Sequence, residues 1–154
     1  MKQERYEQLI EQIKHLVVGI SDSTAVLANV SAAMAETFPE WLWTGFYLVK
    51  NGELMVGPFQ GPVACFRIKK GKGVCGTSWE KNQTIVVENV DEFPGHIACS
   101  SLSKSEIVVP MHDNEGNVVG VLDVDSPELS TFDSIDKKYM EIIVEIISKE
   151  VEFN

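Results

Sequence analysis

The segment IVVPMHDNEGNVVGVLDVD, residues 107–125, decides the fold. Its two apolar runs, Ile107 to Met111 and Val118 to Asp125, flank the turn-forming stretch Asp113-Asn114-Glu115-Gly116-Asn117, the pattern of a hairpin buried on at least one face. Upstream, Trp43, Gly45, Tyr47 and Val49 alternate with Thr44, Phe46 and Leu48. Asn51-Gly52 and the run Leu54-Met55-Val56 follow, and Asn-Gly accepts the positive φ of a tight turn, so a second hairpin is expected. Outside the hairpins the period changes. Tyr6, Leu9, Ile10, Ile13, Leu16, Val17 and Ile20 recur at steps of three and four, which predicts an amphipathic helix. Ser21, Asp22 and Ser23 offer caps to a second helix through Val26, Val30, Ala33, Met34 and Phe38, with Pro39 just beyond it. Ser130, Thr131 and Asp133 do the same for a last helix carrying Ile135, Tyr139, Ile142, Ile143 and Ile146 along one side. Helix, helix, strands, loops, strands, helix predicts an α/β domain of the α+β kind, a mainly antiparallel sheet covered by helices from both ends of the chain.

Composition agrees. A chain of 154 residues, 44% hydrophobic and 23% charged, reads as one soluble domain spanning residues 1–154. By size scaling it exposes roughly 25,000 Å² unfolded and about 8,000 Å² folded, enough burial to stand without staples. The net charge of −10 repels a phosphate backbone, so nucleic acid is excluded as a partner. No apolar run approaches the ~20 residues that cross a bilayer, and Leu16 to Ile20 is too short for a signal-peptide core; a cytoplasmic protein without membrane contact is expected.

Three cysteines, Cys65, Cys75 and Cys99, are an odd number without a Cys-x-x-Cys pair, which argues for thiols over a disulfide framework. Small buried hydrophobes explain them as simply as reactive groups do. His15, His96 and His112 complete no zinc pattern with them, so no metal site is expected.

The sharpest local conflict lies on the strand at Val119, Val121, Asp123 and Asp125, which period two puts on one face. Two carboxylates continue an apolar stripe. Desolvating them without a partner is costly, so something cationic or proton-bearing is expected beside them, unless the strand simply emerges into solvent after Leu122. Glu106, opening the apolar run that follows, is a third acid suited to proton donation if buried and an ordinary solvated residue if not. Gly73-Val74-Cys75-Gly76-Thr77-Ser78-Trp79 reads as a turn entering a helix, where backbone N–H groups favour an anion or a thiolate. Arg67, Lys69, Lys70 and Lys72 form a basic cluster that either lowers a nearby thiol pKa or lies on a solvated loop.

Taken together, Gly57 to Cys65, Gly71 to Trp79, Phe93-Pro94-Gly95-His96 through Glu106, and Leu122-Asp123-Val124-Asp125-Ser126-Pro127 resemble the free methionine-(R)-sulfoxide reductases, enzymes built on a GAF domain. The resemblance spans essentially the whole chain. It implies a GAF-like fold and a thiol-dependent reduction of free methionine (R)-sulfoxide without metal or organic cofactor. It further implies Cys99 as nucleophile, Cys65 as resolving partner, Cys75 as a third thiol able to join recycling, and Glu106, Asp123, Asp125 and Trp43 as the substrate pocket. Which of Cys65 and Cys75 resolves first stays open, as does whether Glu106 or Asp125 supplies the proton. Thioredoxin or a similar dithiol protein is the implied reductant. The rival is a GAF-type small-ligand sensor without catalysis, which has no need of three thiols in one region. The first helix's stripe is satisfied equally by the last helix of its own chain or by a second copy, so a homodimer is also open.

Overall fold

The computed structural model describes residues 1–96 and 99–153. Along the chain run α1 (Lys2–Val17), α2 (Ser23–Thr37), β1 (Trp43–Lys50), β2 (Glu53–Gln60), β3 (Arg67–Lys69), α3 (Gly73–Lys81), β4 (Ile85–Val87), a single 3-10 turn (Val90–Glu92), β5 (Ser105–His112), β6 (Val118–Ser126) and α4 (Ser134–Glu150). The two expected hairpins are β1–β2 and β5–β6, and their inner strands pair with each other. The sheet has the order β3-β2-β1-β6-β5-β4, with every described pairing antiparallel. This mixed α and β architecture matches the expected fold class.

Each face of the sheet has its own core. On one side α1, α2 and α4 pack Leu9, Ile13, Leu27, Met34 and Ile143 against Phe46, Ile107, Leu122 and Val124. On the other, α3 and the connecting loops pack Val74, Cys75 and Trp79 against Trp43, Tyr47, Val108 and Val121. The helix caps follow the sequence: Asp22 accepts from the Ala25 N–H at 2.9 Å, and Asp133 and Asp136 form a capping box at the start of α4.

Three details differ from the periodic reading. α1 ends at Val17 and Gly19 turns the chain at φ +77°, so Ile20 leaves the stripe and is 43% exposed; Leu16, still helical, lies at the edge of the stripe and is 40% exposed. Val119 joins the helix-side core while Val118 faces the other, because the β5–β6 register slips between Met111 and His112 and the bulge breaks the alternation. In α4, Ile135, Ile142 and Ile146 only flank the core, which is filled by Tyr139, Met140, Ile143 and Ile147.

Candidate active site

β6 lies between β1 and β5, and its register assembles the acids. Asp125 pairs across to Trp43 on β1 and to Glu106 on β5; Asp123 pairs to Gly45 and to Val108. Directly paired residues share a face, so Glu106, Asp123 and Asp125 converge on the side away from α1, α2 and α4. Asp123 and Glu106 are 5% and 6% exposed, and Asp125 is half-buried. Neither the strand emerging into solvent nor the solvated glutamate survives this geometry.

α3 closes the cluster from above. Its first turn brings Cys75 Sγ to 4.0 Å from Glu106 Oε2. Gly76 permits the approach: a Cβ there would run into the Lys69 carbonyl, so any larger residue would push α3 off β3. Gly61, at φ +141°, likewise folds the β2–β3 loop onto Trp43, whose Nε1 donates to the Pro62 carbonyl at 3.1 Å. That loop carries Cys65, which is disulfide-bonded to Cys99 with a Cα separation of 5.4 Å, inside the usual reach of such a bridge. Cys75 is a free, buried thiol.

A cavity of about 60 Å³ is lined by Trp43, Cys75, Cys99, Glu106, Asp123 and Asp125, and its wall also includes Tyr47, His96 and Ser103. Of the site residues expected from sequence, only Cys65 is absent from the lining, and its disulfide partner borders it. The sequence reading missed Tyr47 and Ser103. Tyr47 donates to the Cys65 carbonyl at 3.1 Å and stacks on Trp43 with ring centroids 5.7 Å apart, while Ser103 Oγ donates to Asp125 Oδ1 at 3.3 Å. Tyr47 shares the parity of Trp43 and Gly45 along β1, which was the available signal; Ser103 sits in an irregular loop and gave none. Lys72 reaches the rim of the cavity, but Arg67, Lys69 and Lys70 are exposed.

Among the described residues no lysine or arginine bridges Glu106, Asp123 or Asp125. Asp123 Oδ1 is buried with no hydrogen-bond partner. Burial, then the negative charges of Asp123 and Asp125, hold the Glu106 carboxyl well above the usual range. Burial also raises Asp123, opposed in part by its polar neighbours Glu106 and Cys75, and burial with the Asp123 charge raises Asp125. Protons are therefore retained in the cluster, and like charges are tolerated across the β5–β6 pair because they are not all charged. The Cys75 thiol is pushed up by burial and then by the three acids. A thiolate favoured by the helix start is thus overturned: desolvation and carboxylates outweigh the N-terminal amides.

The family model described as GAF domain matches residues 21–152, and the chain belongs to that family. The GAF domain-containing protein A of Dictyostelium discoideum is 54% identical over 95% of this chain and 92% of its own length. The free methionine-R-sulfoxide reductase of Escherichia coli is 40% identical, with 96% of this chain and 89% of that protein covered. A crystal structure of free methionine-R-sulfoxide reductase from Neisseria meningitidis in complex with its substrate superposes with a TM-score of 0.94 at 47% identity, covering 97% of this chain and 90% of that one. Within the GAF family, this chain belongs to the free methionine-R-sulfoxide reductases.

Proposed function

We propose that the protein, acting as one unit over residues 1–154, reduces free methionine (R)-sulfoxide to methionine through Cys99, with Cys65 as resolving thiol and a dithiol protein of the thioredoxin kind as final reductant. One observation carries the reading. A disulfide between Cys65 and Cys99 borders a small cavity whose floor holds three acids and no bridging cation among the described residues.

In the reduced protein the Cys99 thiolate attacks the sulfoxide sulfur while Glu106 or Asp125, held protonated by their surroundings, gives a proton to the departing oxygen. The substrate S–O bond breaks as the protonated oxygen passes to the Cys99 sulfur, which is oxidised by two electrons to a sulfenic acid, and the substrate sulfur, reduced by the same two electrons, leaves as a thioether. The Cys65 thiol then condenses with it and expels water, giving the disulfide, which thiol–disulfide exchange with the external dithiol reopens. Cys75 is buried beside the acids with a raised thiol pKa, which favours Cys65 as the first resolving partner and leaves Cys75 to later recycling. Asp123 and the remaining carboxylate take the substrate ammonium by charge-assisted hydrogen bonds. Trp43, stacked between Tyr47 and Phe59 at centroid distances of 5.7 and 4.9 Å, offers a rigid apolar wall for the S-methyl group. The (R) preference follows that of the free methionine-R-sulfoxide reductases to which the chain is 39–40% identical. A reaction spending one thiol pair per turnover fits the reducing cytoplasm.

Mass spectrometry of the reduced protein mixed with free methionine (R)-sulfoxide tests this. The expected result is loss of two hydrogen atoms per chain, mapped to Cys65–Cys99, with one equivalent of methionine. Three intact thiols and no methionine would instead support the ligand sensor.

A further inference from the structure

We propose that Cys75, Glu106 and Asp123 form a binding site for a thiophilic divalent cation such as Zn²⁺. One ligand atom from each lies within 4.8 Å of the other two, and Cys75 Sγ is 4.0 Å from Glu106 Oε2. A tetrahedral zinc ion, with bonds of ~2.3 Å to sulfur and ~2.0–2.2 Å to oxygen, sets its ligand atoms about 3.3–3.6 Å apart. The cluster therefore needs side-chain shifts of about an ångström or less per residue, with no change in the strands that carry it. The independent pointer to a ligand is Asp123 Oδ1, a buried carboxylate oxygen without a partner, on a residue 5% exposed. The three ligands come from α3, β5 and β6, so the site is built by the fold and not by one flexible loop. The cavity beside them leaves a fourth position for water.

Binding displaces the thiol proton and any proton held by the two carboxyls to solvent, so it strengthens as pH rises. Metal binding stands on this geometry alone. Its consequence, that the cation excludes the substrate ammonium and inhibits the reductase, rests on the proposed function.

The test uses the full chain with Cys65–Cys99 closed, which leaves Cys75 as its single thiol. Titration with Co²⁺ as probe is expected to give one equivalent bound with a thiolate-to-cobalt charge-transfer band, both displaced by Zn²⁺. Cys75→Ser should lose the band and weaken binding by at least the ~10–100-fold that loss of even an outer partner costs. Thermal melts check that the variant folds; should it not, Asp123→Asn, which keeps the thiol, must show the same weakening. No binding, or binding without the band or unchanged by these substitutions, would overturn the site. Added free methionine sulfoxide is expected to release Co²⁺; Co²⁺ retained at saturating sulfoxide would leave the metal site standing and count against the ammonium reading.

Discussion

Two clusters of buried acid lie on opposite faces of the sheet. On the helix side, Asp136 is 1% exposed, accepts from Tyr6 Oη at 2.5 Å and from Lys2 Nζ at 2.7 Å, and also receives the Asp133 N–H at 2.9 Å. On the site side, Glu106, Asp123 and Asp125 share a cavity with no bridging cation among the described residues, and one Asp123 oxygen has no partner. The first cluster is complete in the folded chain and ties α1 to α4. The second is complete only with something added. Burial of a carboxylate is thus not itself a sign of function; burial without a partner is.

The largest effect expected from this contrast is on catalysis. Asp125→Asn or Asp123→Asn should lower kcat/KM by roughly 10³–10⁴, since a buried polar partner of the substrate is lost. The same variants should melt at or above the wild-type temperature, a gain of ~1 kcal/mol appearing as about 2–4 °C, because one of three crowded, desolvated carboxyls is replaced by a neutral amide. Steady-state kinetics beside calorimetry checks both, and a variant that loses stability in step with activity would dissolve the contrast.

Asp136→Ala should do the reverse. It strands the Tyr6 hydroxyl and Lys2 and removes half of the α4 capping box, for a loss of about 2–4 kcal/mol in denaturant melts with kcat per folded molecule unchanged. Lys2→Met should cost less, about 1 kcal/mol, since that lysine side chain is 31% exposed.

The pH dependence has a sign the site dictates. With folded pKa values raised above the unfolded ones, the three acids contribute stability that is full below their unfolded values near ~4 and lost as pH rises through the raised folded values. Melting the substrate-free protein across that range should show the decline, and Glu106→Gln should flatten it. A wild-type curve rising over the same interval would mean the acids are compensated after all.

Much of this arrangement was legible beforehand. The turn chemistry at Asn51-Gly52 and Asp113 to Asn117 located both hairpins, and the break from apolar to acidic along β6 marked the site, because the period-two rule holds wherever the ladder is regular. It failed at Val119, where a bulge inserts one residue, at Ile20, where the helix has stopped before its hydrophobic pattern does, and at Leu16, which is exposed although still helical. Asp136 was invisible as a core residue, since its partners come from a helix 130 and 134 residues away. The Cys65–Cys99 pairing joins residues separated by 34 positions, and nothing in their spacing distinguishes it from the other pairs. Tertiary contacts of that kind leave no local period to read.

The most direct measurement compares reduction of free methionine (R)-sulfoxide with that of its N-acetylated form, which has the same sulfur and no ammonium. If the unpartnered acids are completed by that ammonium, the acetylated compound should fall by roughly 10⁴ in kcat/KM. Equal rates on the two would show that the acids serve something else.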